Sequence, residues 1–467
     1  RPDCSRCVSN ETTRTELQCV WCGDTCVVSD SGECSDNSVV TSDNRRNCPD
    51  PVLQEVYPRF GPSEGNTVLT VTGTDFGRRL TDIRKVMVGR QECELNGTSY
   101  ETGHSVDCTT PPRTETRRRR DVTPVSVRMI VEGRNGVLQT SQEDVTFGYK
   151  DPVLTDFNPR VGPRSGGTWI TVSGEFLDAG RSIQISIGSA PCLFERSQVN
   201  DNNITCQTST ANSVGSWLLN LHFDGAERTS QIKFTYAKDP VVETIQPSTS
   251  ILAGGRKLQV NGSGFSIIQR SKIVITLRDS QQEFIENCSV KSDKVMVCIS
   301  PKIDLPDIAL SADFSLNIST GFIMDGVTAL RTWCPGDLKS CTPLGYYQNP
   351  VYYPFHDASY GYGDGIGVKD GDILVLRGER LDLAITANEI TVYIGRKLCT
   401  DVNLDASALS CMLPQTQPEA GDNLGRNTSK NLPVVRVLHG SNLSIDIGYL
   451  RYPGTSYVII IVCLVCA

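Results

Sequence analysis

Residues 68–73 read VLTVTG, and the phrase returns three times along the chain: WITVSG at 169–174, LQVNG at 258–262 and ILVLRG at 373–378. The residues four and two places before each closing glycine are large and aliphatic: Leu69 and Val71, Ile170 and Val172, Leu258 and Val260, Leu374 and Leu376. Between them stand Thr70, Thr171, Gln259 and Val375. A period of two puts alternate side chains on opposite faces of a strand, so one face of each segment is predicted to be buried; only Val375 breaks the alternation. Upstream of every copy lie a Pro-Val-like pair and a second proline (Pro51/Pro58, Pro152/Pro159, Pro240/Pro247, Pro350/Pro354), then a glycine turn.

Downstream, Gly89 precedes Cys93 by four residues, as Gly188 precedes Cys192 and Gly395 precedes Cys399. Each cysteine has another shortly after it, which pairs Cys93 with Cys108, Cys192 with Cys206 and Cys399 with Cys411. The third copy departs from this: Cys288 lacks the glycine, and its partner Cys298 is closer. A bridge closing about 15 residues removes roughly 3 kcal/mol of unfolded-state entropy, so each pair is expected to staple a hairpin. Cys334 and Cys341 (TWCPGDLKSC) read as a local loop bridge in the last connection of the third copy. Short strands between Gly, Pro, Asn and Ser turns indicate β-sandwiches, and repeats of about 90–110 residues are too long for solenoid units. The expected fold is all-β, with sandwich domains at 50–150, 151–238, 239–348 and 349–454 after a small module at 1–49.

Seven of the 19 cysteines fall in that small module. So short a stretch needs cross-links or a metal to fold. The pairs Cys4/Cys7 and Cys19/Cys22 allow a zinc ribbon, but that would leave Cys26, Cys34 and Cys48 without a role. A disulfide module uses them all and implies an oxidising compartment. Eight Asn-x-Ser/Thr sequons agree with a secretory route: Asn10, Asn96, Asn203, Asn261, Asn287, Asn317, Asn427 and Asn442. Arg1-Pro2-Asp3-Cys4 is no signal peptide, so the chain reads as an internal fragment. At the other end, 457–467 (YVIIIVCLVCA) is apolar throughout. A helical span takes about 20 residues, and 455–467 is read as the start of a transmembrane helix; the other reading is a buried strand. The net charge of −8 gives no reason to expect nucleic acid.

The N-terminal cysteines, with CSRC, CVWCGDTC and a trailing Cys-Pro, resemble a PSI (plexin, semaphorin, integrin) module, and the four copies resemble IPT/TIG domains, which are immunoglobulin-like sandwiches. Plexins and the hepatocyte growth factor receptor family both place this series before a transmembrane helix. The wording LDLA (381–384), VYIGRKLC (392–399) and GSNLSIDIGYLRY (440–452) is similar to plexins, the B-type above all, whereas GFIMDG (321–326) and Asn349-Pro350-Val351 are similar in style to the growth factor receptors. The PSI resemblance implies bridges Cys4–Cys48, Cys7–Cys26 and Cys22–Cys34, with Cys19 left for a cysteine upstream and Trp21 packed as the module's core. The plexin resemblance implies the extracellular stalk of a single-pass cell-surface receptor. It would position an upstream semaphorin-binding sema domain, take part in receptor self-association, and relay ligand-induced rearrangement to the membrane. The alternatives are a receptor tyrosine kinase stalk, or an adhesion protein using homophilic IPT contacts.

Nothing in the chain points to catalysis or a cofactor. His104, His222, His356 and His439 are scattered, none beside a hydrolase or metalloprotease motif, and are expected at the surface or in loops. The acidic, glycine-rich stretch 361–372 (GYGDGIGVKDGD) does not have the ligand spacing of a calcium loop and reads as a surface turn. Arg117, Arg118, Arg119 and Arg120 form a basic run in a Pro/Thr-rich stretch. It is either a solvated loop or a polyanion contact, or a furin-type convertase site cut after Arg120.

Overall fold

The structure is a computed structural model that describes residues 3–8, 19–22, 25–29, 34, 39–41, 48–113, 124–133, 136, 138–141, 145–304, 316–334, 341, 344–355 and 365–453. Asn10, Arg117–Arg120, His356, residues 361–364, and the apolar stretch 454–467 with Cys463 and Cys466 lie outside the described residues.

The four repeated phrases are strands, and the face predicted to be buried is the buried one: Leu69, Val71, Ile170, Val172, Leu258, Val260, Leu374 and Leu376 all lie in hydrophobic cores, and Val375 is exposed. The strands do not end on the glycine, as the sequence suggested, but run one residue further: Val68–Thr74, Trp169–Glu175, Lys257–Ser263 and Ile373–Glu379. The glycine is there for close approach. A Cβ at Gly73, Gly174, Gly262 or Gly378 would strike the carbonyl oxygen of Val52, Val153, Val241 or Val351 on the repeat's first strand. In the first three repeats that strand carries a register shift beside the contact, between Leu53 and Glu55, Leu154 and Asp156, and Val242 and Thr244. An extra residue of this kind bends the strand.

In the second repeat the strands are Val153–Asn158, Val161–Pro163, Trp169–Glu175, Ile183–Ile187, Ala190–Leu193, Asn203–Thr208, Gly215–Phe223 and Ala226–Ala237. Numbered in that order, they lie side by side as one, three, six, five, four, seven, eight, two, and the first and fourth repeats have the same order. The short second strand is the element that leaves the first strand's edge and pairs in parallel with the eighth, as Phe60–Pro62 does with Thr146–Lys150. In the fourth repeat this second strand is Ile366–Val368, paired with Leu443–Arg451. The glycine-rich stretch read as a surface turn is therefore partly a sheet strand, because Tyr449–Arg451 offers it an open edge.

The third repeat keeps the order from its first to its seventh strand, but the seventh, Ile318–Met324, does not reach the eighth; Gly345–Tyr347 pairs with Thr249–Ile251 alone among the described strands. Between them come a 3-10 turn at Thr328–Thr332 and the Cys334–Cys341 bridge. Thr320 and Cys334 exchange backbone hydrogen bonds, which occupy the edge that the eighth strand takes elsewhere.

The N-terminal module has a short helix, Cys4–Cys7, on a three-stranded sheet in the order Thr25–Val28, Cys19–Cys22, Val39–Val40. Trp21 lies in its core with Cys4, Cys7, Val8 and Val40. Disulfides join Cys4 to Cys48, Cys7 to Cys26 and Cys22 to Cys34, and in the repeats Cys93 to Cys108, Cys192 to Cys206, Cys288 to Cys298, Cys334 to Cys341 and Cys399 to Cys411. The chain divides into two compact units, 1–236 and 237–467, each described by itself.

Candidate functional site: docked turns between repeats

Within each unit one turn recurs at the boundary between repeats. The glycine turn before the third strand needs left-handed backbone: Gly65 and Asn66 in the first repeat, Gly254 and Gly255 in the third, all with φ between 60° and 81°. Glycine and asparagine adopt this region most cheaply. In both cases the turn packs against the hairpin joining the seventh and eighth strands of the following repeat. A Cβ at Gly225 would lie 2.8 Å from the Gly65 carbonyl oxygen, and one at Gly440 would lie 2.5 Å from that of Gly255.

The residue after each turn is the first tether. Thr67, fully buried, donates its hydroxyl to Asp224 Oδ2 at 2.7 Å. Arg256 stands at the matching place in the third repeat and forms a two-pronged pair with Glu389, Nε to Oε1 at 2.8 Å and Nη2 to Oε2 at 2.7 Å. Its remaining nitrogen donates to the Thr249 carbonyl at 2.9 Å and hydroxyl at 2.8 Å. Such a fork fixes direction as well as distance. Burial alone would raise the Glu389 carboxyl, but hydrogen bonds from Arg256 and from Thr386 outweigh it and hold the group below its ordinary value.

Around these tethers the two junctions differ. Lys150, the last residue of the first repeat's eighth strand, is almost buried; its Nζ lies 2.7 Å from Asp201, 3.1 Å from Asp178, and 4.2 Å from the centre of the Phe60 ring. Burial would lower the Lys150 ammonium, yet the hydrogen bonds it donates to both carboxylates raise it. From the other side Arg228 reaches Glu64 at 2.9 Å and the Pro152 carbonyl at 2.7 Å, and Arg181 donates to Thr70 at 2.7 Å. The third and fourth repeats rely more on the carbonyls of the turn: Ser441 N donates to the Gly255 carbonyl at 3.0 Å and Asn442 Nδ2 to the Ala253 carbonyl at 3.2 Å, while Ile251 and Ala253 sit in the fourth repeat's core.

The small module docks on the first repeat in a related way. Asp75, at φ 66°, accepts from the amides of Cys4 at 2.8 Å and Ser5 at 3.3 Å, and Asp3 accepts from the Asp75 amide at 3.2 Å. Cys4, Cys48 and Asp75 come close enough to suggest a metal site, but the two sulfurs are bonded to each other and the carboxylate is occupied by the helix amides. A cysteine holds a metal as its thiolate, which a disulfide does not supply.

Of the residues singled out from the sequence, Cys19 is half-buried and unbridged among the described residues. Asn96, Asn203, Asn287, Asn317, Asn427 and Asn442 are exposed and Asn261 is half-buried. His222 is exposed and His104 partly so. His439 corrects the expectation of surface histidines. It is fully buried at the end of Val434–His439 beneath the docked hairpin, with Nε2 2.9 Å from the Tyr352 hydroxyl. Burial pushes its imidazole down to about 4. Sequence reading missed Lys150, Asp224, Arg228, Arg256 and Glu389. One signal was available: aligned on the third strand, the first two repeats have Thr67 and Thr168 where the third has Arg256.

The residue set at these junctions pairs cations with carboxylates and leaves backbone amides on side-chain acceptors, an arrangement that orients one domain on the next. The IPT/TIG domain family model matches residues 51–149, 152–236 and 240–328, the first three repeats. Plexin-2 of Caenorhabditis elegans is 28% identical over 96% of this chain and 23% of its own length, and Plexin-2 of Caenorhabditis briggsae is 29% identical over 96% and 24%. The chain thus spans about a quarter of the length of these relatives. Among solved structures, the full extracellular region of Plexin A4 matches with a TM-score of 0.69 and 23% identity over 95% of this chain and 34% of that one. The chain belongs to the IPT/TIG domain family, and it is similar to plexins in sequence and to the Plexin A4 extracellular region in fold.

Proposed function

We propose that the chain is the membrane-proximal stalk of a cell-surface semaphorin receptor, and that its work is to hold adjoining domains at set angles so that rearrangement of an upstream ligand-binding domain reaches the membrane. The observation that carries this reading is the docked turn, built twice with the same elements and tethered by buried charge. Flexible linkers would dissipate a reorientation; a bidentate Arg–Glu clamp resists it. The domain boundaries at 49/50, 150/151, 238/239 and 348/349, the membrane span beginning at 455, and the glycan acceptors Asn10, Asn96, Asn203, Asn261, Asn287, Asn317, Asn427 and Asn442 belong to the same proposal. So does convertase cleavage after Arg120. Cys93 and Cys108 both precede that point, and the following strand, Pro124–Glu132, pairs with Ile83–Val88 and Thr146–Lys150, so a cut chain would stay assembled.

The test uses the full-length receptor on cells. Arg256→Ala should leave surface level and semaphorin binding unchanged while weakening the ligand-induced response. An undiminished response, with the junction shown to be loosened by hydrogen exchange, would overturn the relay.

A further inference from the structure

The third and fourth repeats enclose a cleft of about 860 Å³, inside the ~300–1,000 Å³ range of sites that hold small ligands. One wall is the first strand of the third repeat, with Glu243, Thr244 and Gln246; the other is the segment 382–386 of the fourth, and Trp333 contributes an aromatic surface. The indole is fixed in place, its N–H donating to the Val242 carbonyl at 2.9 Å. On the fourth repeat's wall Leu383 is 46% exposed.

Asn261 lies beside one wall of this cleft, on the neighbouring strand. It is the cross-strand partner of Thr244, and its Nδ2 lies 3.1 Å from the Thr244 hydroxyl. The same nitrogen is the acceptor atom of the Asn261-Gly262-Ser263 sequon. We propose that an N-glycan on Asn261 folds back into the cleft and tethers the third repeat to the fourth through its first sugars. N-acetylglucosamine has an apolar ring face suited to an indole, and hydroxyl and amide groups suited to Glu243, Gln246 and Asp382. The sugar starts one side chain from the wall, so little chain entropy is lost on entry. The inference rests on reading Asn261 as a glycan acceptor, and adds a covalently supplied second tether beside Arg256 and Glu389.

The experiment uses the whole ectodomain, secreted from kifunensine-treated mammalian cells so that every glycan is high-mannose, and trimmed without denaturation by endoglycosidase H. Site-resolved glycopeptide mass spectrometry follows Asn261 against Asn203, which is exposed at the start of Asn203–Thr208. Asn261 should be trimmed about tenfold more slowly, the factor that ~1.4 kcal/mol of cleft contact imposes. Leu383→Arg, a change at an exposed cleft position, should bring the two rates together. An unoccupied Asn261 would overturn the proposal along with the acceptor reading. Occupancy with equal rates, or slow trimming that Leu383→Arg leaves untouched, would overturn the cleft alone.

Discussion

The first and second repeats are held by charge spread over several strands, whereas the third and fourth are held by one arginine–glutamate fork and by hydrogen bonds to the carbonyls of the docked turn. Both start from the same docked turn. In the earlier pair a threonine tethers the turn, and Lys150, Arg181 and Arg228 share the load from separate directions. In the later pair Arg256 replaces the threonine and makes four side-chain hydrogen bonds by itself. A distributed contact fails gradually and a concentrated one fails at a single residue, so the two junctions should answer differently to mutation and to pH.

The largest effect is expected at Arg256→Ala. Removing one partner of a buried pair costs about 3–5 kcal/mol because the other charge is left behind. Glu389 keeps its capping contacts with Thr386, which places the loss near the lower end. Hydrogen exchange should report it as faster amides in the strand Leu443–Arg451 and in the hairpin before it, with the first two repeats unchanged. Protection equal to that of the parent chain would show that the contacts to the turn's carbonyls suffice.

Acid should then separate the junctions. The His439 imidazole is held near 4 when folded against about 6.5 when free, so the unfolded chain binds the extra proton. Stability is complete above about 6.5 and falls by ~3 kcal/mol as pH drops to about 4. Glu389 adds to this at lower pH, since its lowered carboxyl contributes stability only above its folded value. Lys150 has the opposite sign. Its raised ammonium contributes below the free-lysine value and loses that contribution only in strong alkali. The fourth repeat should therefore loosen first in an acid titration followed by proteolysis, and His439→Leu should remove most of the slope between pH 6.5 and 4.

Much of the architecture was legible in four short phrases, because a period of two and a closing glycine report burial and close approach directly. The glycine was read as an ending when it marks a contact: the carbonyl of Val52 or Val153 that excludes a side chain lies some 20 residues upstream, and no local pattern shows it. The missing edge in the third repeat was invisible for a similar reason. Thr320 pairs with Cys334 rather than with a strand, a choice made by the folded loop. The junctions were least legible. Lys150 looks like an ordinary strand-end lysine, and its two carboxylates come from the next domain; Arg256, out of place beside Thr67 and Thr168, carried a signal that went unread.

Lys150→Met tests the distributed contact. Methionine puts an apolar end where the ammonium lies over the Phe60 ring, and Asp178 and Asp201 are about a third to two-fifths exposed, so water can take over part of what the ammonium supplied. The expected loss is about 1–2 kcal/mol, below the buried-pair range. Equality with Arg256→Ala in the same exchange experiment would erase the distinction between a shared and a concentrated junction.

Thr67→Val should have the smallest effect and is the sharpest check on the idea of one turn used twice. Valine keeps the shape, so only the hydrogen bond to Asp224 is lost, about 1 kcal/mol. Asp224 retains its bonds from the amides of Arg181 at 2.9 Å and Ser182 at 2.8 Å and is not left bare. If the turn itself is the common device, Thr67→Val will loosen the Ala226–Ala237 hairpin only slightly, while Thr67→Arg, which copies the later junction without supplying a glutamate opposite, will open it as far as Arg256→Ala opens its counterpart. A Thr67→Arg chain as well protected as the parent would mean that Glu389, not the position after the glycine turn, defines the later clamp.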